Sequence, residues 1–113
     1  MKIAQVRKHA MSLLEVTEEP HHQFSSFRVR GKIFVTIPPG EEHIHVFVAE
    51  EQRERWVAMH PEFLEKLLWG GKVVGLRASL PVAQPSVIKS LITSAWQHKA
   101  PKTLLAAGEN AQS

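Results

Sequence analysis

The chain has 113 residues, enough for one domain with its own core, and carries a formal net charge of +3. It contains no cysteine, no tyrosine and no aspartate, so all eleven acidic residues are glutamates. Disulfides, thiolate zinc sites, a cysteine nucleophile and an Asp-based triad are excluded, although Glu can replace Asp in the last. The charge is unevenly spread. Residues 1–40 hold six Lys/Arg against three Glu, residues 41–70 hold three against seven, and residues 71–113 hold five against one. Basic ends around an acidic middle point to surfaces of opposite sign, one of which can attract anions such as nucleic acid.

In chain order, residues 2–16 read as an amphipathic helix, with Ile3, Val6, Ala10, Leu13 and Leu14 at helical spacing. Pro20 stops any continuation, and 21–26 (HHQFSS) reads as a polar lead-in. Strands are expected over roughly 24–30, 32–37 and 43–48. Gly31 breaks the first from the second, and Pro38-Pro39-Gly40 turns the chain before the third. Strict alternation puts Ile33, Val35, Ile37, Ile44, Val46 and Val48 on a core face and Phe34 and Phe47 on the opposite face. A helix follows at 50–60, with Glu50 and Glu51 in its first turn and Trp56 and Val57 inward. Residues 72–79 read as a strand after the Gly70-Gly71 turn. A short strand near 62–65 is expected to pair with it, and a helix over 63–68 competes. Pro85 opens the last helix, 85–99, in which Ile88, Leu91, Ile92 and Ala95 repeat at three and four and Pro101 marks the stop. Another turn is expected at 103–107.

The expected fold is α+β: a two-layer sandwich with an antiparallel sheet of about five strands, helices on one face, and order α-β-β-β-α-β-β-α. One domain is expected over 1–106, with 107–113 a flexible tail. No apolar run approaches the ~20 residues of a membrane span, and the first ten residues carry charge where a secretion signal has its apolar stretch. A cytoplasmic protein of bacterial type is expected.

Two segments, SFRVRGKIFVTI (26–37) and SAWQHKAPKTLL (94–105), carry a family resemblance together with Trp56 and the GGKVVGLRASL strand. The chain resembles the MmcQ/YjbR family over roughly 2–106. The matching positions are Phe27, Arg28, Gly31, Lys32, Phe34, Trp96, Ala100, Pro101 and Lys102. His21-His22 and the segment around Trp69-Gly70-Gly71 have no counterpart in the pattern. The resemblance implies a CyaY-like, secretion-chaperone-like fold and a DNA-binding role through a "double wing" of hairpins. No catalytic residue comes with it.

The candidate nucleic-acid residues are Arg28 and Arg30 on one strand face, Lys32 beyond the glycine, and Lys72 and Arg77. Lys99 and Lys102 would extend the surface if the fold brings them near. Phe34 and Phe47 are the candidate stacking residues, or an interface if a partner covers them. His43 and His45 share a strand side at the spacing of a chelating pair, but two histidines alone do not make a shell, and no metal is assigned. No serine, histidine or glutamate stands in a nucleophile motif, so neither a catalytic residue nor a cofactor or small-molecule substrate is expected. Trp96 to Lys102 reads as a packed and terminated helix end. The leading expectation is a non-enzymatic DNA-binding protein that works through phosphate contacts. The alternative is a protein-interaction or chaperone-like module, with a homodimer as one form of it.

Overall fold

The computed structural model describes residues 1–106; the expected tail, 107–113, lies outside them. The elements in order are α1 (Ile3–Ser12), β1 (Val16–His21), β2 (Phe24–Val29), β3 (Lys32–Ile37), β4 (His43–Val46), α2 (Glu50–Met59), β5 (Leu64–Trp69), β6 (Lys72–Ser79), a 3-10 turn (Leu80–Val82) and α3 (Pro85–Lys99). Residues 102–106 are also helical. The strands form one antiparallel sheet in the order β1-β2-β3-β4-β6-β5.

The fold is thus α+β, with six strands rather than five and one more strand before the second helix. The extra strand is β1. The first helix stops at Ser12, not at residue 16, and Glu15 (φ 55°) turns the chain back. Leu13 and Leu14 fit the helical period, yet the chain after them is an edge strand. Its Pro20 is tolerated there because an edge strand does not need every N–H in a ladder. Glu18 ties β1 to α1: it accepts two hydrogen bonds from Arg7 (2.8 and 3.1 Å) and one from Ser25 Oγ (2.7 Å). The Arg7 guanidinium holds its carboxyl below the usual carboxylate range. The strand expected near 62–65 runs instead from Leu64 to Trp69, and the competing helix does not form.

Three hairpins close with two-residue turns, the first at His22 (φ 59°) and Gln23 between β1 and β2. Arg30 (φ 51°) and Gly31 (φ 81°) join β2 to β3, and Gly70 (58°) and Gly71 (81°) join β5 to β6. In these last two, positive φ at both central positions is the pattern whose twist matches paired strands.

By register, Phe27, Val35, Val46, Leu76, Ala78 and Leu64 share one sheet face, and all are buried. They form one cluster with Val6 and Ala10 of α1 and with Ile88, Leu91, Ile92 and Ala95 of α3. Trp96 donates its indole N–H to Leu14 O at 3.1 Å, locking the last helix to the α1–β1 connection. No residue of α2 is fully buried, but Trp56 and Val57 pack against the core from its edge.

Two bulges break the alternation. Phe27 pairs with Val35 but Arg28 pairs with Ile33, which leaves Phe34 as the extra residue of β3. Likewise Leu67 pairs with Gly75 but Leu68 pairs with Val73, which leaves Val74 unopposed in β6. Arg53 of α2 serves that second irregularity, donating to Val73 O (2.9 Å), Val74 O (3.3 Å) and Val48 O (3.2 Å).

Candidate binding groove on the polar sheet face

The second sheet face carries Ser26, Thr36, His45 and Arg77 by register. It is polar in sequence but not flat. A groove of about 440 Å³ lies on it, lined by His21 and His22 from the β1–β2 turn, Phe24 of β2, Ile33 and Thr36 of β3, Phe47 just after β4, Trp69 at the end of β5, and Lys99 at the end of α3. The volume falls within the range of small-ligand clefts, roughly 300–1,000 Å³.

The bulge at Phe34 explains part of the lining. One inserted residue reverses the side-chain parity before it, so Ile33 turns to the groove while Phe34 turns with Val35 to the core. Phe34 is 0 % exposed. The expectation that Phe34 stacks on a ligand is therefore corrected: it is a core residue. Ile33, expected in the core, is a groove residue. Phe47 does stand on the polar face as expected, half-buried.

Phe47 meets Trp69 with ring centroids 5.5 Å apart at 57°, and Trp69 also approaches His45 at 6.4 Å and 77°. Such tilted geometries suit the ring quadrupoles. Between their strands runs β6, and Gly75 makes the crossing possible. A Cβ there would stand 2.7 Å from Val46 O and 3.2 Å from Phe47 Cδ1. Phe24 completes the row, 5.9 Å from His45.

Three polar atoms on this face have no hydrogen-bond partner and almost no accessible surface: Thr36 Oγ1, His45 Nδ1 and Arg77 Nε. Thr36 and His45 as whole residues are 2 % and 8 % exposed. Burial pushes the His45 ring below its ordinary pKa of 6.5, and Arg77 and His43 push it the same way, so the ring is neutral at pH 7. Among the described residues no three His or Glu side chains gather as a metal shell around His43 and His45.

The sequence-predicted cations separate into two sets. Arg30 does not share a strand face with Arg28, because it is a turn residue, and Glu15 grips it through two bonds of 2.8 Å. Arg77 lies 3.4 Å from Glu65. Arg28 stands on the polar face but folds toward β1, donating to Ser26 Oγ (3.1 Å) and Pro20 O (3.3 Å). Lys32 and Lys72 are exposed, but the β3 bulge sets Lys32 opposite Val29, at the core side of the sheet and not on the polar face expected for it, whereas Lys72 stands opposite Trp69 on the polar side. They open β3 and β6, which run in the same direction because each is antiparallel to β4, so both lie at one end of the sheet. Lys99 lines the groove beside Ile33 at that end. Among the described residues none of these three lysines has a carboxylate within ion-pairing distance. Lys72 does share a cleft with Glu50 and Glu54, the second of which pairs with Lys66.

Phe24, Trp69, Thr36 and Gly75 were not legible as site residues. One signal was present: an isolated glycine inside a strand marks a close approach, and Gly75 is one. No helix among the described residues is long and apolar enough to cross a membrane.

No curated protein matches the chain. The YjbR family model matches residues 11–98, a span that holds all six strands and the groove residues from His21 to Trp69, and stops just short of Lys99. The span contains FRVRGKIF, its two-residue turn and Trp96, and on that match the chain belongs to the YjbR family.

Proposed function

We propose that this protein is a non-enzymatic nucleic-acid-binding protein of the bacterial cytoplasm that holds its ligand on the polar sheet face. In this reading the fold is a two-layer sandwich, with α1 and α3 on the core face and the groove open on the other, in the CyaY-like manner. The observation that carries it is Lys99, unpaired among the described residues, in a groove that also holds Phe24, Phe47 and Trp69, with Lys32 and Lys72 opening β3 and β6 at that end of the sheet. The phosphate contacts move accordingly. Arg30 and Arg77 are neutralised by Glu15 and Glu65, so the three lysines, with Arg28 beside them, replace the arginine stripe.

Fluorescence anisotropy of a labelled oligonucleotide at about 50 and about 200 mM salt tests this, because about three phosphate contacts predict an affinity loss of roughly 20- to 40-fold across that range. Each of Lys32→Ala, Lys72→Ala and Lys99→Ala should reduce the logarithmic salt slope by roughly 0.7–0.9. No binding at the lower salt, or a slope indifferent to all three changes, overturns the proposal.

A second reading, a protein-interaction module or homodimer, rests on β5. It is one of the two edges of the sheet and ends in Leu68 and Trp69, 56 % and 50 % exposed. Light scattering that gives a monomer mass, unchanged by Leu68→Glu, removes the homodimer form.

A further inference from the structure

Resting on that nucleic-acid reading, we infer that the groove seats one unpaired base, so that the protein selects single strands over duplex. The shape argues first. A base in a duplex is covered on both faces by its neighbours and offers only its edges in the grooves. The cleft of about 440 Å³ on this sheet is instead lined by the side chains of Phe24, Ile33, Phe47 and Trp69. Aromatic and apolar walls can take a base by its face, which every base has, and therefore without sequence preference.

The floor argues next. Thr36 lines the groove, and its hydroxyl is buried without a partner, at a cost in stability that native folds seldom bear without use. A hydroxyl both donates and accepts, so it can serve the polar edge of a purine or a pyrimidine alike. His45, neutral and with a free ring nitrogen, stands in the neighbouring strand opposite Thr36. A purely apolar occupant would leave the Thr36 hydroxyl unserved and Lys99 desolvated. A nucleotide supplies all three needs: a face for the rings, an edge for the floor, and a phosphate for Lys99, with Lys32 and Lys72 at the same end for the phosphates on either side.

The experiment compares three probes of one length, about ten nucleotides, at low salt: a single strand, the same sequence as a duplex, and a strand of abasic sugars with every phosphate present. The single strand should bind at least about fivefold more tightly than the abasic strand, the lower end of the roughly 5- to 150-fold expected from stacking one base. Trp69→Ala should erase that advantage and leave abasic binding unchanged. Trp69 is half exposed, so its removal does not threaten the fold. Phe47→Leu, which keeps apolar volume over Gly75, should reduce the advantage in part. Equal binding of all three probes, with Trp69→Ala neutral, overturns the inference while the phosphate reading stands. If none of the three binds, the nucleic-acid reading itself falls.

Discussion

Phe34 and Phe47 are 13 residues apart and equivalent by simple alternation, yet the β3 bulge gives them opposite fates. Phe34 is wholly buried in the main cluster, so Phe34→Ala removes a full aromatic side chain and leaves a cavity, at a cost of about 3–5 kcal/mol. Against a total stability of roughly 5–15 kcal/mol, that is a large share. For a domain of this length it lowers Tm by roughly 10–20 °C. Phe47 is half-buried on the polar face, and Phe47→Ala should cost only about 1 kcal/mol, in the usual range for a partly exposed contact. Urea unfolding followed by circular dichroism measures both, and an unchanged m-value keeps the comparison valid. Binding should show the reverse order. Phe34→Leu should bind an oligonucleotide as the parent does, whereas Phe47→Ala should weaken it. Equal stability losses, or a Phe34→Ala loss of less than about 1.5 kcal/mol, would mean that Phe34 is not where the bulge puts it.

Arg53 donates to two backbone carbonyls at the irregular start of β6 and to Val48 O just after β4, so Arg53→Ala should cost about 1.5–3 kcal/mol. Arg53→Lys should fail to rescue it, because an ammonium cannot reproduce the planar fork; a Lys variant as stable as the parent in urea would show that the contact is incidental. Stability should also fall in mild acid. Burial pushes the pKa of His9 and His45 below the ordinary value of 6.5, so between the two values the unfolded chain binds more protons than the folded one. Stability is then complete above the unfolded pKa, declines as pH falls through it, and levels once pH is below the folded values. Urea midpoints should drop between about pH 7.5 and about pH 5.5, and less so in His45→Gln; identical midpoints would refute the burial argument.

The β2–β3 hairpin shows what a sequence discloses. Its turn is written in Arg30-Gly31 and its core partners in Phe27, Val29 and Val35, all local signals. The bulge within it is not written, because inserting one residue changes no composition and reverses only the parity of Lys32, Ile33 and Phe34. The first edge strand was hidden for a different reason. Leu13 and Leu14 extend the period of α1 to its end, and only the left-handed Glu15 and the pairing of 16–21 with β2 decide against it. Around β5, Phe63, Leu64, Leu67 and Leu68 fit a helix as well as a strand. The choice falls to the Gly70-Gly71 turn, which places the segment against β6.

Charge read along the chain is a poor map of charge on the surface, and the arginines show why. Arg30 meets Glu15 and Arg77 meets Glu65, partners 15 and 12 residues away that pattern alone cannot assign. The lysines were legible as cations but not by place, since Lys32 and Lys72 reach one end of the sheet only through the parallel course of β3 and β6, and Lys99 reaches the groove only at the end of α3. The groove has the same origin. Its walls are single residues contributed by β2, β3, the end of β4 and β5, each preceded and followed by side chains that serve other ends. A site assembled one residue per strand leaves no motif. What it leaves is the space it needs, and here that space is the missing side chain of Gly75, which lets Phe47 reach Trp69 across β6. The glycine and the tryptophan are therefore two halves of one feature: a Cβ at 75 would stand 2.7 Å from Val46 O and 3.2 Å from Phe47 Cδ1, so a substitution there must shift the end of β4 that carries Phe47, and with it the wall against which a base would stack.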